Sequence, residues 1–253
     1  MPTLSPDGRR IAFMSARTGT PEIWVSDRDG SKAVQLTSFG GPYVALPAWS
    51  PDGRFIAFVS AAAGQSEIYL VRPEGGEPIR ITNHPASDTW PDWSHDGRRL
   101  YFTSDRGGGL QVWAAPIDAD GRSGEAVQAT GHGGGFPRES PDGQFLYYAK
   151  GLESPSLWRS PVGQHQEERV LESLGRPTNY SVTRDGVFFT PRAASPTDST
   201  LAFLRFSTGR IETVASFSKP AYFGLDATAD GRDLVVTLLD QANADLMLVE
   251  NFR

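Results

Sequence analysis

Two short acidic motifs, Asp27-Arg28-Asp29-Gly30 and Asp118-Ala119-Asp120-Gly121, offer paired carboxylates to a hard cation such as calcium, which fills its shell with several oxygens at once. A full calcium loop also needs a closing Glu, and the register that would carry it runs past Ser38 without one. Asx-turn chemistry, in which Asp takes a backbone N–H two residues on and Gly reverses the chain, accounts for both motifs. A serine hydrolase needs its nucleophile in a Gly-x-Ser-x-Gly elbow, and Gly121-Arg122-Ser123-Gly124 is one residue off that pattern. The run Gly131-His132-Gly133-Gly134-Gly135 lies between two strand-like segments and opens no helix, so it lacks the geometry that seats a pyrophosphate. The chain has no Cys and four His, namely His84, His95, His132 and His165. Thiolate chemistry is therefore absent and imidazole ligands are few. No catalytic residue, metal site or cofactor is expected.

Composition narrows the remaining classes. In 253 residues, 24 Lys and Arg against 30 Asp and Glu leave a net charge of −6, and the basic residues form only doublets such as Arg9-Arg10 and Arg98-Arg99. A nucleic-acid partner is not expected, because phosphate binding rests on clustered cations that release counterions. With 38% hydrophobic and 21% charged residues the chain can bury a core. Apolar stretches such as Phe55 to Val59 fall far short of the roughly 20 residues that cross a bilayer, so membrane insertion is not expected.

The elements that must hold any site are set by a repeat. Ser5-Pro6-Asp7-Gly8 returns as Ser50-Pro51-Asp52-Gly53, Ser94-His95-Asp96-Gly97, Ser140-Pro141-Asp142-Gly143, Thr183-Arg184-Asp185-Gly186 and Thr228-Ala229-Asp230-Gly231, with successive Asp residues 45, 44, 46, 43 and 45 apart. After each tetrad comes a run rich in β-branched and aromatic residues, such as Ile11 to Ser15 or Phe55 to Ser60. A second run follows, centred on Ile23, Ile68, Val112, Leu157, Leu201 and Leu246, at 14 or 15 residues past the tetrad Gly. A third run appears in five copies, as in Ala33 to Thr37, and a fourth precedes most tetrads, as in Tyr43 to Trp49. Pro presets φ, Asp bonds backbone and Gly turns left-handed, so each tetrad predicts a strand-reversing turn and not an active site. Four antiparallel strands at this period predict an all-β fold: a single domain over residues 1–253 that forms a six-bladed β-propeller of four-stranded blades.

The composite Trp49-Ser50-Pro51-Asp52-Gly53, Ile56-Ala57-Phe58-Val59-Ser60, Glu67-Ile68-Tyr69-Leu70-Val71, Ile81-Thr82 resembles the WD40-like (PD40) repeat of the TolB type. Leu100 to Arg106 is similar to that family's second strand and following loop. The fourth unit departs from the pattern with Glu139 in place of Trp, the fifth lacks the Pro, and the sixth keeps only Asp230-Gly231. The resemblance implies a protein or peptide partner and the periplasm; with no catalytic signature in the chain, a non-enzymatic interaction module acting as a monomer is expected. Two other functions are compatible with such a ring: the substrate-gating propeller of a prolyl-oligopeptidase-like peptidase, and a metal-dependent propeller lyase or lactonase. One strand is missing from the count, so the last blade is expected to lack its outer strand and the chain to be a fragment of a longer one, beginning upstream of Met1.

The turns made by the tetrads are short and uniform, whereas the connections on the opposite side of the ring vary. Binding residues gather on irregular loops held by a rigid scaffold, so a partner is expected on that loop face. The candidate contacts are Tyr43, His84, Trp90, Arg106, His132, Arg138, Arg176, Tyr180, Arg192, Lys219 and Tyr222, since aromatic and Arg side chains anchor such interfaces. Asp92 and Asp226 share the position two before the tetrad and are expected to line the central channel. Titrating the protein with calcium, manganese or zinc in a calorimeter is expected to give no binding heat; a saturable heat would establish a metal site.

Overall fold

The computed structural model describes residues 1–192, 198–240 and 243–250, with side chains described to residue 239. The expected loops around 193–197 and 241–242 lie outside the described residues. The first sheet comprises β1 (Thr3–Leu4), β2 (Arg10–Ser15), β3 (Glu22–Asp27) and β4 (Val34–Gln35). The second holds β5 (Val44–Trp49), β6 (Ile56–Ser60), β7 (Glu67–Val71) and β8 (Ile79–Arg80), and the third β9 (Asp88–Trp93), β10 (Arg99–Ser104), β11 (Gln111–Pro116) and β12 (Val127–Gln128). The fourth holds β13 (Gly135–Glu139), β14 (Phe145–Lys150), β15 (Ser156–Pro161) and β16 (Glu168–Leu171), and the fifth β17 (Tyr180–Val182), β18 (Gly186–Phe189), β19 (Ser199–Arg205) and β20 (Ile211–Phe217). Three strands, β21 (Ala221–Ala227), β22 (Asp233–Asp240) and β23 (Asn243–Glu250), make the last sheet. Every sheet is an antiparallel meander in chain order, and no helix occurs among the described residues.

The first strand of each sheet is the innermost. β1, β5, β9, β13, β17 and β21 stand next to one another in that order, and β21 returns to β1, so the sheets form a closed ring. Neighbouring sheets bury their faces against each other in separate apolar clusters. Val44, Trp49 and Phe58 pack on Ile23 and Val25, Phe102 and Trp93 on Val59 and Ile68, and Tyr148 on Tyr101 and Val112. Further round, Tyr180 and Val187 meet Tyr147 and Leu157, Leu225 and Val236 meet Phe188 and Leu201, and Val235 closes on Leu4 and Ile11. The outermost strands of the first three sheets are only two residues long, which leaves little unpaired edge for a second chain to extend.

Side-chain hydroxyls hold both ends of the sheets. In the first tetrad the Gly8 N–H donates to the Ser5 carbonyl at 2.8 Å, the Ser5 hydroxyl donates to Asp7 Oδ1 at 2.6 Å, and Ser5 Oγ accepts the Arg10 N–H at 2.9 Å. Ser50, Ser94, Ser140 and Thr228 repeat this pattern. Gly8 has φ +68°, the left-handed conformation the turn demands. The fifth tetrad departs from expectation. Thr183 pairs directly with Gly186, which is already the first residue of β18, so the reversal is two residues tighter. Gly186 is needed there for space: a Cβ would lie 2.1 Å from the Leu204 carbonyl oxygen.

At the other end, the first residue of the third strand binds the connection to the next sheet. The wholly buried Glu67 carboxylate accepts the Thr82 hydroxyl at 2.5 Å, Arg80 at 2.7 Å and the His84 N–H at 3.2 Å. Glu22 does the same for Thr37, Phe39 and Gly40, and in the third sheet the neutral Gln111 replaces the acid. Glu67→Ala is expected to cost about 2–4 kcal/mol in urea unfolding, because buried donors lose their acceptor. Glu67→Gln should cost less than half as much, as the Gln111 arrangement shows an amide can serve. Equal losses for the two would refute this account.

Candidate functional site

The repeat places residues of equal rank at equal height around the axis. Two positions before each tetrad stand Thr3, Ala48, Asp92, Arg138, Ser181 and Asp226, and all of them line the channel on the tetrad side. Arg138 Nη1 lies 3.0 Å from Asp92 Oδ1, and its Nη2 lies 3.9 Å from Asp226 Oδ1. Asp226 Oδ2 accepts the Leu4 N–H at 2.9 Å, which ties the last sheet to the first. Burial pushes the Asp92 carboxyl from the ordinary 3.8 up to about 6, with Arg138 pulling the other way and Asp226 adding repulsion. Burial likewise raises Asp226 against the pull of Arg138. Burial opposes the charge on Arg138, but the two carboxylates outweigh it and hold the guanidinium cationic.

Four positions before the tetrads of the second, third and fourth sheets come Leu46, Trp90 and Phe136, each followed by Pro. All three have positive φ, +59°, +53° and +60°, at irregularities in the inner-strand pairing. A bulky residue at such a φ, ahead of a proline that disfavours helical backbone, is strained. At the loop-face mouth these side chains, with Met1, Arg138 and Tyr180, line a small space of about 20 Å³. The Trp90 ring centroid lies 4.9 Å from Phe136 and 6.4 Å from Phe223, Tyr222 meets Phe223 at 5.0 Å, and Arg176 stacks over Phe223 at 4.5 Å. Beside this rim opens a cavity of about 670 Å³ whose lining includes Tyr43, Leu46, Trp90, Tyr222 and Phe223.

The expected contacts thus fall into three groups. Tyr43, Trp90, Arg176 and Tyr222 come together at the mouth. His84, His132, Arg192 and Lys219 sit in loop-face connections farther out: His84 Nδ1 accepts the Ala86 N–H, the exposed His132 faces Glu167, Arg192 reaches Ser154, and the Lys219 carbonyl accepts from Ser199. The remaining three are supports. Arg106 is clamped by Asp88 at 2.6 Å between the rings of Phe102 and Trp113, with its side chain only 12% exposed. Tyr180 is buried, with its hydroxyl donating to the Phe136 carbonyl, and Arg138 lies inside the channel. The rank shared by Asp92 and Asp226 was a signal that Arg138 belongs with them. The place of Phe223 beside Tyr222 carried no such signal, because the unit around it keeps little of the repeat. Among the described residues no cluster of three or more His, Asp or Glu is arranged to hold a metal ion, and no helix is long and apolar enough to cross a membrane.

A closed ring of small antiparallel sheets with an aromatic mouth and a polar channel defines a β-propeller. The TolB β-propeller domain family (PD40) matches residues 1–187, and the chain belongs to that family. It is 41% identical over 117 residues to the Tol-Pal system protein TolB of Bordetella pertussis, a match covering 46% of this chain and 27% of the relative. The chain thus matches about a quarter of the length of its curated relatives. TolB from Acinetobacter baumannii superposes with a TM-score of 0.69 at 22% identity, over 83% of this chain and 52% of that one. A puromycin-hydrolyzing peptidase of Mycobacterium tuberculosis shares the fold with a TM-score of 0.67 at 15% identity, over 99% of this chain and 42% of that one.

The raised Asp92 pKa fixes the sign of a pH effect. A carboxyl that titrates higher in the folded state than in the unfolded chain stabilises below about pH 4, and that contribution is lost as pH rises through about 6. Unfolding free energy is expected to fall across this window by at most about 3 kcal/mol from Asp92, and Asp92→Asn to flatten the dependence. An unchanged pH profile in the variant would contradict the burial argument.

Proposed function

We propose that this chain is a non-enzymatic interaction propeller that docks a protein or peptide on the loop face, opposite the tetrad turns. The single observation that carries the reading is the strained trio Leu46, Trp90 and Phe136, all at positive φ, of which Leu46 and Trp90 line the 670 Å³ cavity. Backbone strain of this kind persists where the surrounding structure enforces it, and it concentrates at ligand clamps. Trp90, Tyr43, Tyr222, Phe223 and Arg176 supply the aromatic and guanidinium anchors that dominate interface energetics. His84, His132, Arg192 and Lys219 form the outer part of the docking surface, and Arg106, Arg138 and Tyr180 support it from beneath. In this reading the three-stranded sheet counts as a sixth blade, and the chain acts as a monomer without nucleic acid.

The partner is a component of a Tol-Pal-type assembly in the periplasm. Membership of the TolB propeller family and the 41% identity to a Tol-Pal system protein support that choice. Binding of the purified Pal component from the same organism, followed by calorimetry, tests it. The combined variant Trp90→Ala, Tyr222→Ala is expected to bind at least about tenfold more weakly, as loss of central aromatic anchors does. Undiminished affinity, or no binding by the unmodified protein, would overturn the reading.

A further inference from the structure

The tetrad side of the channel holds a second cavity, of about 370 Å³, a volume suited to a small ligand. Two departures from the repeat meet at its wall. His95 stands where the first, second and fourth tetrads have Pro6, Pro51 and Pro141, and Glu139 stands where the second and third sheets have Trp49 and Trp93. The wholly buried Glu139 carboxylate accepts the His95 N–H at 3.0 Å, His95 Nδ1 at 2.9 Å and the Tyr101 hydroxyl at 2.5 Å. A carboxylate on Nδ1 fixes the ring and leaves Nε2 of the neutral imidazole as an acceptor. The His95 side chain stays 43% exposed and lines the cavity.

Asp92, Arg138 and Asp226 line the same cavity. One guanidinium between two carboxylates leaves this layer with an excess negative charge, and Asp226 Oδ1 has Arg138 only at 3.9 Å. Thr3, 3% exposed, also belongs to the lining, and its Oγ1 has no partner among the described residues. Two carboxylates against one guanidinium thus leave acceptor capacity on this wall. Trp49, Trp93 and the tetrad prolines supply apolar wall for a short alkyl chain.

The geometry points to a binding site for a primary ammonium group in this tetrad-face cavity, held by the Asp92 and Asp226 carboxylates with His95 Nε2 as a neutral acceptor. An ammonium offers three donors and no acceptor, which is the complement of this lining. The group arrives either on a free alkylamine or on a lysyl side chain. The site is separate from the loop-face mouth, and it does not rest on the docking proposed there.

Calorimetric titration of the full chain with putrescine, with butanediol as the uncharged analogue and with the peptide Gly-Lys-Gly tests it. Putrescine or the peptide is expected to bind and the diol not to; the tighter of the two names the source of the amine. Asp226→Asn, which keeps an oxygen for the Leu4 N–H, should weaken binding at least about tenfold, as loss of a charged hydrogen-bond partner does. His95→Ala keeps its backbone bond to Glu139 and should weaken it roughly threefold, the effect of one neutral bond. If Asp226→Asn does not fold, His95→Ala decides. Failure of both amines to bind, binding of the diol as tight as that of putrescine, or wild-type affinity in the folded variants would overturn the assignment.

Discussion

The inner strands of neighbouring sheets stand side by side without forming a ladder, so side chains must satisfy the polar groups that face across each gap. The structure does this with hydrogen bonds that span one repeat length. The Trp93 indole donates to the Ala48 carbonyl, Arg138 to Asp92, Tyr180 to the Phe136 carbonyl, and Ala227 N–H to Ser181 Oγ. Leu4 N–H to Asp226 closes the circuit. Between the first two sheets, Arg10 stacking over Trp49 at 4.9 Å and the apolar cluster around Phe58 serve instead. Each bond is local in the ring although its partners are distant in sequence, which is how a chain of small sheets becomes one rigid body.

That geometry explains what the sequence made legible. Strand runs, turns and period follow from local chemistry: alternation of apolar residues, the φ demands of Pro and Gly, and the hydroxyl-to-Asp bond within four residues. The inner layer was legible only in part. Asp92 and Asp226 declare their common rank, but Arg138 reads as a solvent-facing cation until it is aligned on the same rank, where it must lie between them. Arg106 reads as an anchor because it follows a strand end; the ion pair with Asp88 that immobilises it depends on the inner strand of its own sheet folding back across that end. The fifth turn departs from its tetrad because its Gly serves close packing on Leu204 and not a left-handed bend.

Above the Asp92–Arg138–Asp226 layer, Tyr180 and the three strained side chains line a small space of about 20 Å³. No residue lines both the cavity of about 670 Å³ and the cavity of about 370 Å³, and the Asp92–Arg138–Asp226 layer borders the second. Arg138 borders both the tetrad-face cavity and the small space above it, while Asp226 belongs to the tetrad-face cavity alone.

The departures at His95 and Glu139 show how strongly a ring couples its units. Trp93 sends a donor back to the preceding sheet, and at the next interface the residue of equal rank, Glu139, has none to send. The polarity reverses there, and the preceding sheet must supply donors to a carboxylate that is wholly buried. Tyr101 supplies one, and His95 supplies two through its N–H and Nδ1. The Pro usual at that tetrad position has neither, so a Glu139 facing Pro would be a buried charge short of two of its partners. Each departure is costly alone and tolerable with the other, a coupling of the kind that residues in one hydrogen-bond network display. Two irregularities that look like independent decay of the repeat are one structural change, made across a single interface.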